Sequence, residues 1–357
     1  MQFGMHFFPT SSPSQESGAD YWNGILSCVD LADDLGFSHV RTVEHYFTPY
    51  GGYSPSPIAM LSAAAMRTKH ARLITGAVLP AFSHPLKLAS ELCLLDALSN
   101  GRLEIGIARA FLPLEFERFG VSLDESRARF NEAMDVITRL LSEENVAHQG
   151  QFWKFPETTI LPRPTQQPAP PFWIAAVQTP SSFEYAGRNG YGVMAIPFAG
   201  GVLREYLEIY RKAWKEAGHR GNGKVMLVFH TYCAPTMQEA RATAEPQLLD
   251  YFRNFANAAR SWATGTSSSD YVGYDKIVAF LDKITFDDQV TSGAAWIGTP
   301  DSIARQLQDY YDIVGGFDIA SLQIRFGQLQ VDKVHQSMHL FSREIMPRFK
   351  ELGSIVA

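Results

Sequence analysis

Hydrophobic positions along the chain follow two alternating patterns. One is a short run rich in β-branched and aromatic residues, such as QFGMHFF near the start of the chain, which Pro9 and a Ser-rich stretch terminate. Runs of this kind are typical of strands. The pattern predicts eight strands, at 2–8, 38–44, 72–79, 102–108, 172–177, 191–197, 224–233 and 317–325.

The other pattern is a longer stretch with apolar residues three and four positions apart, as in Ile25, Val29 and Ala32, followed by Gly36. This spacing places apolar side chains on one face of a helix, and a glycine after them favours helix termination. It predicts helices at 20–35, 56–67, 86–98, 124–141, 180–189, 204–217, 237–257, 301–313 and 331–352.

The regular alternation of strands and helices predicts a parallel sheet, because right-handed crossovers place the helices outside it. Eight strand–helix units are enough to close the sheet on itself and remove its edges. We therefore expect an α/β protein with one (β/α)8 TIM barrel domain over residues 1–357. A doubly wound open sheet is the alternative.

Two segments interrupt the alternation. A hairpin is predicted around 148–160, followed by a Pro-rich connector at 161–171. Residues 261–295 are rich in Ser, Thr, Gly and Asp, and they are too long for an ordinary connection. We interpret them as a mobile lid within the barrel domain, inserted before the last strand. A surface excursion without a function is the alternative.

Composition narrows the class of protein. Hydrophobic residues make up 46% of the chain and charged residues 19%, as in a soluble globular enzyme. The apolar runs are too short to span a membrane and the first residues do not resemble a signal peptide, so a cytoplasmic location is expected. A net charge of -6 argues against nucleic-acid binding. The three cysteines show no paired spacing, which argues against a disulfide framework.

Several common catalytic motifs are missing from the sequence. There is no metal-ligand spacing, no Gly-rich dinucleotide motif, no P-loop and no nucleophile elbow. Metalloenzyme, dinucleotide-binding and hydrolase classes are therefore disfavoured, and no metal is expected.

Functional groups of a TIM barrel gather at the carboxyl ends of its strands. His45 follows the second predicted strand, and an imidazole there can donate or accept a proton near neutral pH. A hydrogen-bonded structural histidine is the alternative. Glu44 beside it could orient the ring, although adjacent residues of a strand face opposite sides.

An anion site is predicted at the same end of the barrel. Arg109 ends the fourth strand and Arg127 opens the next helix, and guanidinium groups match the geometry of phosphate. Thr179, Ser181 and Ser182 open the helix after the fifth strand, where free backbone N–H groups favour an anion. Helix capping by the hydroxyls and surface positions for the arginines are the alternatives.

Several longer segments occur in a recognisable order. They are EHYF, LLDALSNGRLEIGIARAF, FGVSLDESRARF, WIGTPDSIARQL and LFSREIMPRFKEL, at 44–47, 94–111, 119–130, 296–307 and 340–352. With these segments the chain resembles the luciferase-like flavin-dependent monooxygenases over nearly its whole length. Within that family it is most similar to the catalytic alpha subunit of bacterial luciferase.

The resemblance implies roles for particular residues. His45 corresponds to the catalytic histidine of the family. Residues at cofactor-binding positions are Gly76, Ala77, Ala108, Arg109, Arg127, Gln178, Thr179 and Ser182, with a cis peptide bond expected between Gly76 and Ala77 beneath the flavin ring. Candidate residues of the substrate pocket are His6, Tyr46, Phe47, Phe111 and His230.

The resemblance also implies an activity. Reduced FMN (FMNH2) and dioxygen would oxygenate a small organic substrate through a C4a-peroxyflavin, with a separate flavin reductase supplying the reduced cofactor. A homodimer is expected through the helices after the second and third strands, where SPIAMLSAAAM offers small residues. The aromatic-rich mouth favours a substrate larger than a short alkane derivative. Carbonyl, carbon and heteroatom oxidation all remain open.

Departures from the luciferase pattern separate the chain from light emission with a long-chain aldehyde. A reactive cysteine is replaced by Ala108, a glutamate by Gln178, a second histidine by Tyr46 and a tryptophan by Pro197. Two alternatives to a monooxygenase stay open. One is a deazaflavin-dependent hydride transferase on the same barrel, and the other is a non-catalytic flavin-binding subunit.

Overall fold

The computed structural model describes residues 1–177, 179–197 and 200–352. These residues contain eleven strands: β1 Gln2–Phe7, β2 His39–Thr42, β3 Arg72–Thr75, β4 Leu103–Ile107, β5 Val146–Gln149, β6 Lys154–Thr158, β7 Phe172–Ala175, β8 Gly192–Ala195, β9 Val225–Cys233, β10 Ala295–Gly298 and β11 Ile319–Arg325.

Eight parallel strands of the described chain form a closed barrel. Their order is β1-β2-β3-β4-β7-β8-β9-β11, and β11 pairs with β1 while β8 pairs with β9 to complete the circle. Each of the eight predicted strands corresponds to one of these barrel strands. The predicted (β/α)8 TIM barrel is therefore confirmed, and the alternative of a doubly wound open sheet is wrong.

The strand β10 was not predicted from the sequence. It is only four residues long and pairs in parallel with His230–Cys233, the carboxyl-terminal part of β9. The strand β8 pairs with Val225–Leu227 at the start of β9. Four residues carry too little periodicity to be separated from a loop, so only the pairing partner defines this strand.

Twelve α-helices occur in the described residues. They are α1 Gly18–Val29, α2 Pro57–Ala65, α3 Pro85–Leu98, α4 Pro113–Phe119, α5 Ser126–Ser142, α6 Pro180–Arg188, α7 Gly200–Glu216, α8 Met237–Ala258, α9 Ile277–Leu281, α10 Phe286–Thr291, α11 Pro300–Val314 and α12 Val331–Glu344. The helices α4, α9 and α10 were not predicted, because seven residues or fewer show less than two full periods of a helical pattern.

Two predicted helices extend too far. The sequence predicts 331–352, but α12 ends at Glu344 and a 3-10 turn follows over Met346–Phe349. Pro347 lacks a backbone N–H and cannot continue the α-helical pattern. The first helix ends at Val29 instead of residue 35, and the Asp33 carboxylate beyond it accepts hydrogen bonds from the backbone N–H groups of residues 69–71.

The lid segment, residues 261–295, folds into short helical turns that cover the carboxyl end of the barrel. Its buried side chains Trp262 and Tyr274 belong to an apolar cluster that includes Phe8 of the barrel mouth. The Trp262 indole N–H donates to the Phe111 carbonyl at 3.0 Å. The segment is therefore packed against the site end of the barrel. Its mobility stays a prediction.

A hairpin and a large apolar core complete the fold. The antiparallel pairing of β5 with β6 confirms the predicted hairpin. A large core fills the layer between the barrel strands and the surrounding helices, with Trp296, Phe229 and Tyr310 among its fully buried side chains. No helix in the described part of the chain is long and apolar enough to cross a membrane.

Candidate active site

A cavity of about 320 Å³ opens at the carboxyl ends of the barrel strands, between the barrel and the lid segment. Most of the residues predicted for the site lie in its wall. They are His6, His45, Gly76, Ala77, Ala108, Arg109, Phe111, Arg127, Thr179, Ser182 and His230. The Gly76–Ala77 peptide bond is cis, as the resemblance implied. Gln178 lies outside the described residues.

Two predicted pocket residues are not part of this wall. Phe47 has a positive φ of 65° and a side chain that is 59% exposed, so it points away from the barrel. The Tyr46 hydroxyl donates to the Glu44 carboxylate at 2.6 Å, and its ring packs on Phe119 with 4.8 Å between ring centroids. Both residues lie beyond the end of β2, where strand alternation no longer predicts direction.

One end of the cavity contains Arg109 and Arg127, the two arginines of the predicted anion site. An aspartate of the lid segment, Asp270, contacts both of them. Its carboxylate lies 2.9 Å from Arg127 Nε and 3.7 Å from Arg109 Nη1, and the Arg109 guanidinium also lies over the Tyr271 ring. Asp270 could not be predicted for this site, because it lies 143 residues from Arg127 in a segment without clear periodicity.

The start of α6 faces the same end. Thr179 is the N-cap residue of this helix, but its side chain makes no capping hydrogen bond. Ser181 accepts a long hydrogen bond of 3.4 Å from Arg127 Nη1, and Ser182 also lines the cavity. Side-chain capping therefore does not account for Thr179, and two cations and three hydroxyls converge on one helix N-terminus. Such a donor set suits a phosphate.

His45 is held by a residue that the sequence analysis did not single out. Its Nδ1 lies 3.0 Å from Oε1 of Glu115, and the same oxygen accepts a hydrogen bond from the backbone N–H of Tyr46. The Glu115 side chain is fully buried. A carboxylate on Nδ1 fixes the ring so that Nε2 is the nitrogen available to the cavity.

Glu115, and not Glu44, is thus the acid that contacts His45. Glu115 belongs to the unpredicted helix α4, which begins at Pro113. Pro at the first position and an acid two residues later are typical of a helix start, so this signal was present in the sequence. What the sequence could not provide was the approach of that helix to β2.

Glu44 occupies a separate place in the wall. Its carboxylate accepts hydrogen bonds from the Tyr46 hydroxyl and from the Leu79 backbone N–H at 3.0 Å. Burial raises the pKa of Glu44 to about 7, although both hydrogen bonds act in the opposite direction. This side chain therefore titrates near neutral pH at the edge of the cavity.

Aromatic rings form much of the wall between His45 and the lid segment. Tyr50 stacks on Phe255 with 4.6 Å between ring centroids, and Phe8 packs against Tyr50 and Tyr251. These four rings all line the cavity, and aromatic walls are typical of pockets that bind ligands with apolar or aromatic surface.

The inner end of the cavity is polar, and its main feature is Arg41, which the sequence analysis did not single out. Arg41 of β2 lines the cavity together with His6 and His230. Burial lowers the pKa of His6 well below its usual value, with Arg41 adding to the effect, and lowers that of His230 to about 3. The alternation of His39 and Arg41 within β2, which puts both on one face of the strand, was the signal available.

Comparison with known proteins agrees with this architecture. A family model described as luciferase-like monooxygenase matches residues 1–315. The oxygenase component of flavin-dependent trigonelline monooxygenase from Acinetobacter baylyi is 29% identical over 98% of this chain and 96% of its own length.

Two solved structures show the same fold. The monooxygenase RslO1 from Streptomyces bottropensis is 39% identical, with a TM-score of 0.87 over 98% of this chain and 100% of that one. The oxygenating constituent of 3,6-diketocamphane monooxygenase from Pseudomonas putida, solved in complex with FMN, is 21% identical, with a TM-score of 0.80 over 98% of both chains.

These matches define the class of the protein as a TIM-barrel oxidoreductase. The chain belongs to the luciferase-like monooxygenase family, and it is a flavin-dependent monooxygenase of that class.

Proposed function

We propose that the chain is the oxygenase component of a two-component monooxygenase that takes reduced FMN from a separate flavin reductase and oxygenates a small organic substrate. The observation that carries this proposal is one cavity with a phosphate-type donor set at one end and His45, held by Glu115 behind it, in its wall. Reduced FMN, when bound, supplies the electrons that activate dioxygen.

The residues present fit the phosphate of FMN. Arg109, Arg127, Thr179 and Ser182 would hold it, aided by the backbone N–H groups at the start of α6. Since Asp270 contacts both arginines, the incoming phosphate has to replace this carboxylate as their partner. The aromatic wall and the backbone at Gly76 and Ala77 would contact the ring system.

His45 is the proposed proton-handling residue. Glu115 keeps Nδ1 engaged, so that Nε2 can donate a hydrogen bond or accept a proton in the cavity. The lid segment and the aromatic rings exclude water from the same space, which protects reactive species from proton leakage. We also propose that the lid segment moves to admit the ligands.

We also propose that the substrate is not a long-chain aldehyde of the kind used in the luciferase reaction. The alkanal monooxygenase alpha chains are 23–24% identical to this chain, below the 29% of the trigonelline monooxygenase component. Ala108 and Pro197, where the resemblance implied a cysteine and a tryptophan, both line the cavity. These replacements change the wall that a substrate would contact.

We further propose that two copies pair through α2 and α3. Met66, at the end of α2, and Leu94 and Leu98 of α3 are large apolar residues with exposed side chains. Covering them in an isologous interface would remove this apolar area from water. The molecular mass in solution tests this part of the proposal.

The test of the function is an anaerobic titration of the protein with reduced FMN and, separately, with a reduced deazaflavin. Rapid mixing with oxygenated buffer then follows the flavin absorbance, for wild type and for His45→Gln. We expect tight binding of reduced FMN only, and a reoxidation rate that differs from free flavin and changes in the variant.

Two outcomes would contradict the proposal. Preferential binding of the deazaflavin favours a hydride transferase on the same barrel. Reoxidation at the rate of free flavin, in the wild type as in His45→Gln, favours a flavin-binding protein without this chemistry.

A further inference from the structure

Arg41 lies deep inside the barrel, below His45 on the inward face of β2. Its side chain is among the most enclosed of the chain, with the whole residue 5% exposed, and it contributes to the wall of the cavity. Nη2 donates to the Gly76 carbonyl at 2.9 Å, and Nη1 lies 3.4 Å from His6 Nδ1. Nε finds no partner in the described part of the chain.

No acid in the described part of the chain neutralises this guanidinium. Among the described residues, no carboxylate oxygen lies within 4.0 Å of it. Arg325 provides the contrast, because it is equally buried at 4% exposure but contacts the Glu16 carboxylate at 2.7 Å and the Tyr21 carbonyl at 3.1 Å. The chain thus pairs one buried arginine with an acid and leaves the other without one.

The groups around Arg41 do not supply the missing charge. His39 is neutral, since burial and the nearby Arg41 lower its pKa to about 3, and His6 and His230 have lowered pKa values as well. Burial raises the pKa of the Tyr251 phenol to about 12, so this group is also uncharged at neutral pH.

Arg41 itself keeps its charge. Burial lowers its pKa to about 9, which still leaves the guanidinium protonated at neutral pH. The inner end of the cavity therefore carries a positive charge that no carboxylate of the described residues neutralises. An isolated charge in such a place is destabilising unless a partner binds to it.

The backbone is adapted to the guanidinium. A Cβ atom on Gly76 would lie 2.2 Å from Arg41 Nε, so only glycine leaves room for the side chain in this position. Nε thus packs against the Gly76 backbone without a hydrogen-bond acceptor among the described residues, while the arginine as a whole lines the cavity. The arrangement is that of a preorganised donor.

We propose that Arg41 is the anion-recognition residue of the inner cavity and binds a planar, delocalised oxyanion of the molecule seated above it. A guanidinium matches such a group in shape as well as in charge. The oxyanion comes from the substrate, as an aromatic carboxylate or phenolate, or from the ring of the reduced flavin. The second source rests on the proposed function, whereas the first does not require bound flavin.

The variants are Arg41→Met, which removes the charge at similar volume, and Arg41→Lys, which retains it. Arg325→Met is the matched control, because it leaves the partly buried Glu16 carboxylate unpaired. We expect Arg41→Met to unfold at the wild-type temperature or above it, and Arg325→Met to unfold well below it. If Arg41→Met is destabilised like Arg325→Met, the residue has a structural role and the inference is overturned.

Binding assays then separate the two sources. Benzoate and benzamide, which share a shape but differ in charge, are titrated into flavin-free protein. A preference of the wild type for benzoate of tenfold or more, absent in Arg41→Met and retained in part by Arg41→Lys, assigns the oxyanion to the substrate. Oxidised and reduced FMN are titrated in parallel. A tenfold loss of affinity in Arg41→Met for the reduced form alone assigns it to the flavin.

If the wild type binds FMN but Arg41→Met changes neither ratio, the inference fails and the proposed function stands. If the wild type binds no FMN, the proposed function fails, and a benzoate preference that depends on Arg41 still supports the inference. Absence of both FMN binding and benzoate preference overturns both.

Discussion

The cavity has two positive regions, and they are built in opposite ways. At the outer end, Arg109 and Arg127 share a lid aspartate, Asp270, and the side chain of Arg127 is 38% exposed. At the inner end, Arg41 is buried and has no acidic partner among the described residues. The outer cations have a counter-ion that another anion can replace, whereas the inner cation has no counter-ion among the described residues. A ligand with two anionic groups would be oriented by this difference.

The largest effect is expected at the outer end. Replacing both Arg109 and Arg127 by methionine should weaken FMN binding about 100-fold, because each charge-assisted hydrogen bond to phosphate contributes about 1.5 kcal/mol. Riboflavin, which lacks the phosphate, should bind equally well to variant and wild type. Fluorescence titration with both flavins measures this. An equal loss for riboflavin would place the phosphate elsewhere.

The neutrality of the inner histidines predicts how stability depends on pH. The unfolded chain protonates His39 below pH 6.5, but the folded chain does so only near pH 3, so stability is full above pH 6.5 and falls as the pH falls. Between pH 6.5 and pH 5 this group should cost about 2 kcal/mol of unfolding free energy. Urea unfolding at several pH values measures the slope.

The control for this prediction uses two variants. His39→Gln should make the slope below pH 6.5 shallower, with His6 and His230 responsible for the slope that remains, while substitution of the exposed His70 by glutamine should leave it unchanged. Identical slopes in both variants would mean that His39 is already protonated in the folded chain. Arg41 would then not be the only charged group at the inner end of the cavity.

A smaller effect is expected at the Glu115–His45 pair, which lies between the two regions. Glu115→Gln should lower kcat about tenfold, because it weakens the group that orients the imidazole. It should also shift the pH profile of kcat and leave FMN affinity unchanged. Glu117→Gln, an exposed change on the same helix, is the control. A loss of FMN affinity in Glu115→Gln would indicate a structural role instead.

The smallest effect concerns the exchangeable counter-ion. Asp270→Asn should bind FMN about fivefold more tightly, since partly exposed ion pairs contribute up to about 1 kcal/mol that the phosphate no longer has to replace. Riboflavin affinity should not change, and Asp275→Asn, an exposed change in the lid segment, should affect neither flavin. Weaker FMN binding by Asp270→Asn would show that the aspartate supports the anion site instead of competing for it.

The barrel could be predicted because its evidence is local. Each strand and long helix carries its own periodicity, and eight repeats of one unit leave few ways to pair them. Residues at strand ends, such as His45 and Arg109, could be placed for the same reason. The short elements β10 and α4 could not, since four and seven residues are too few for a periodic pattern to be told from a loop.

The partners inside the site were harder to predict. Glu115 contacts His45 across 70 residues of sequence, and Asp270 contacts Arg127 across 143. No local pattern relates the members of such pairs. The exclusion of Tyr46 and Phe47 from the cavity had a similar cause, because the chain turns at Phe47 after β2 has ended.

Residue patterns alone were enough to predict the barrel class, the family resemblance and most of the residues that reach the carboxyl ends of the strands. These properties follow from periodicity and from motifs that are short in sequence. The pairing of charges became visible only in the folded chain, where Asp270 contacts the outer arginines and no carboxylate of the described residues contacts Arg41. Pairing depends on the distance between side chains from different elements, and that distance exists only once the chain has folded.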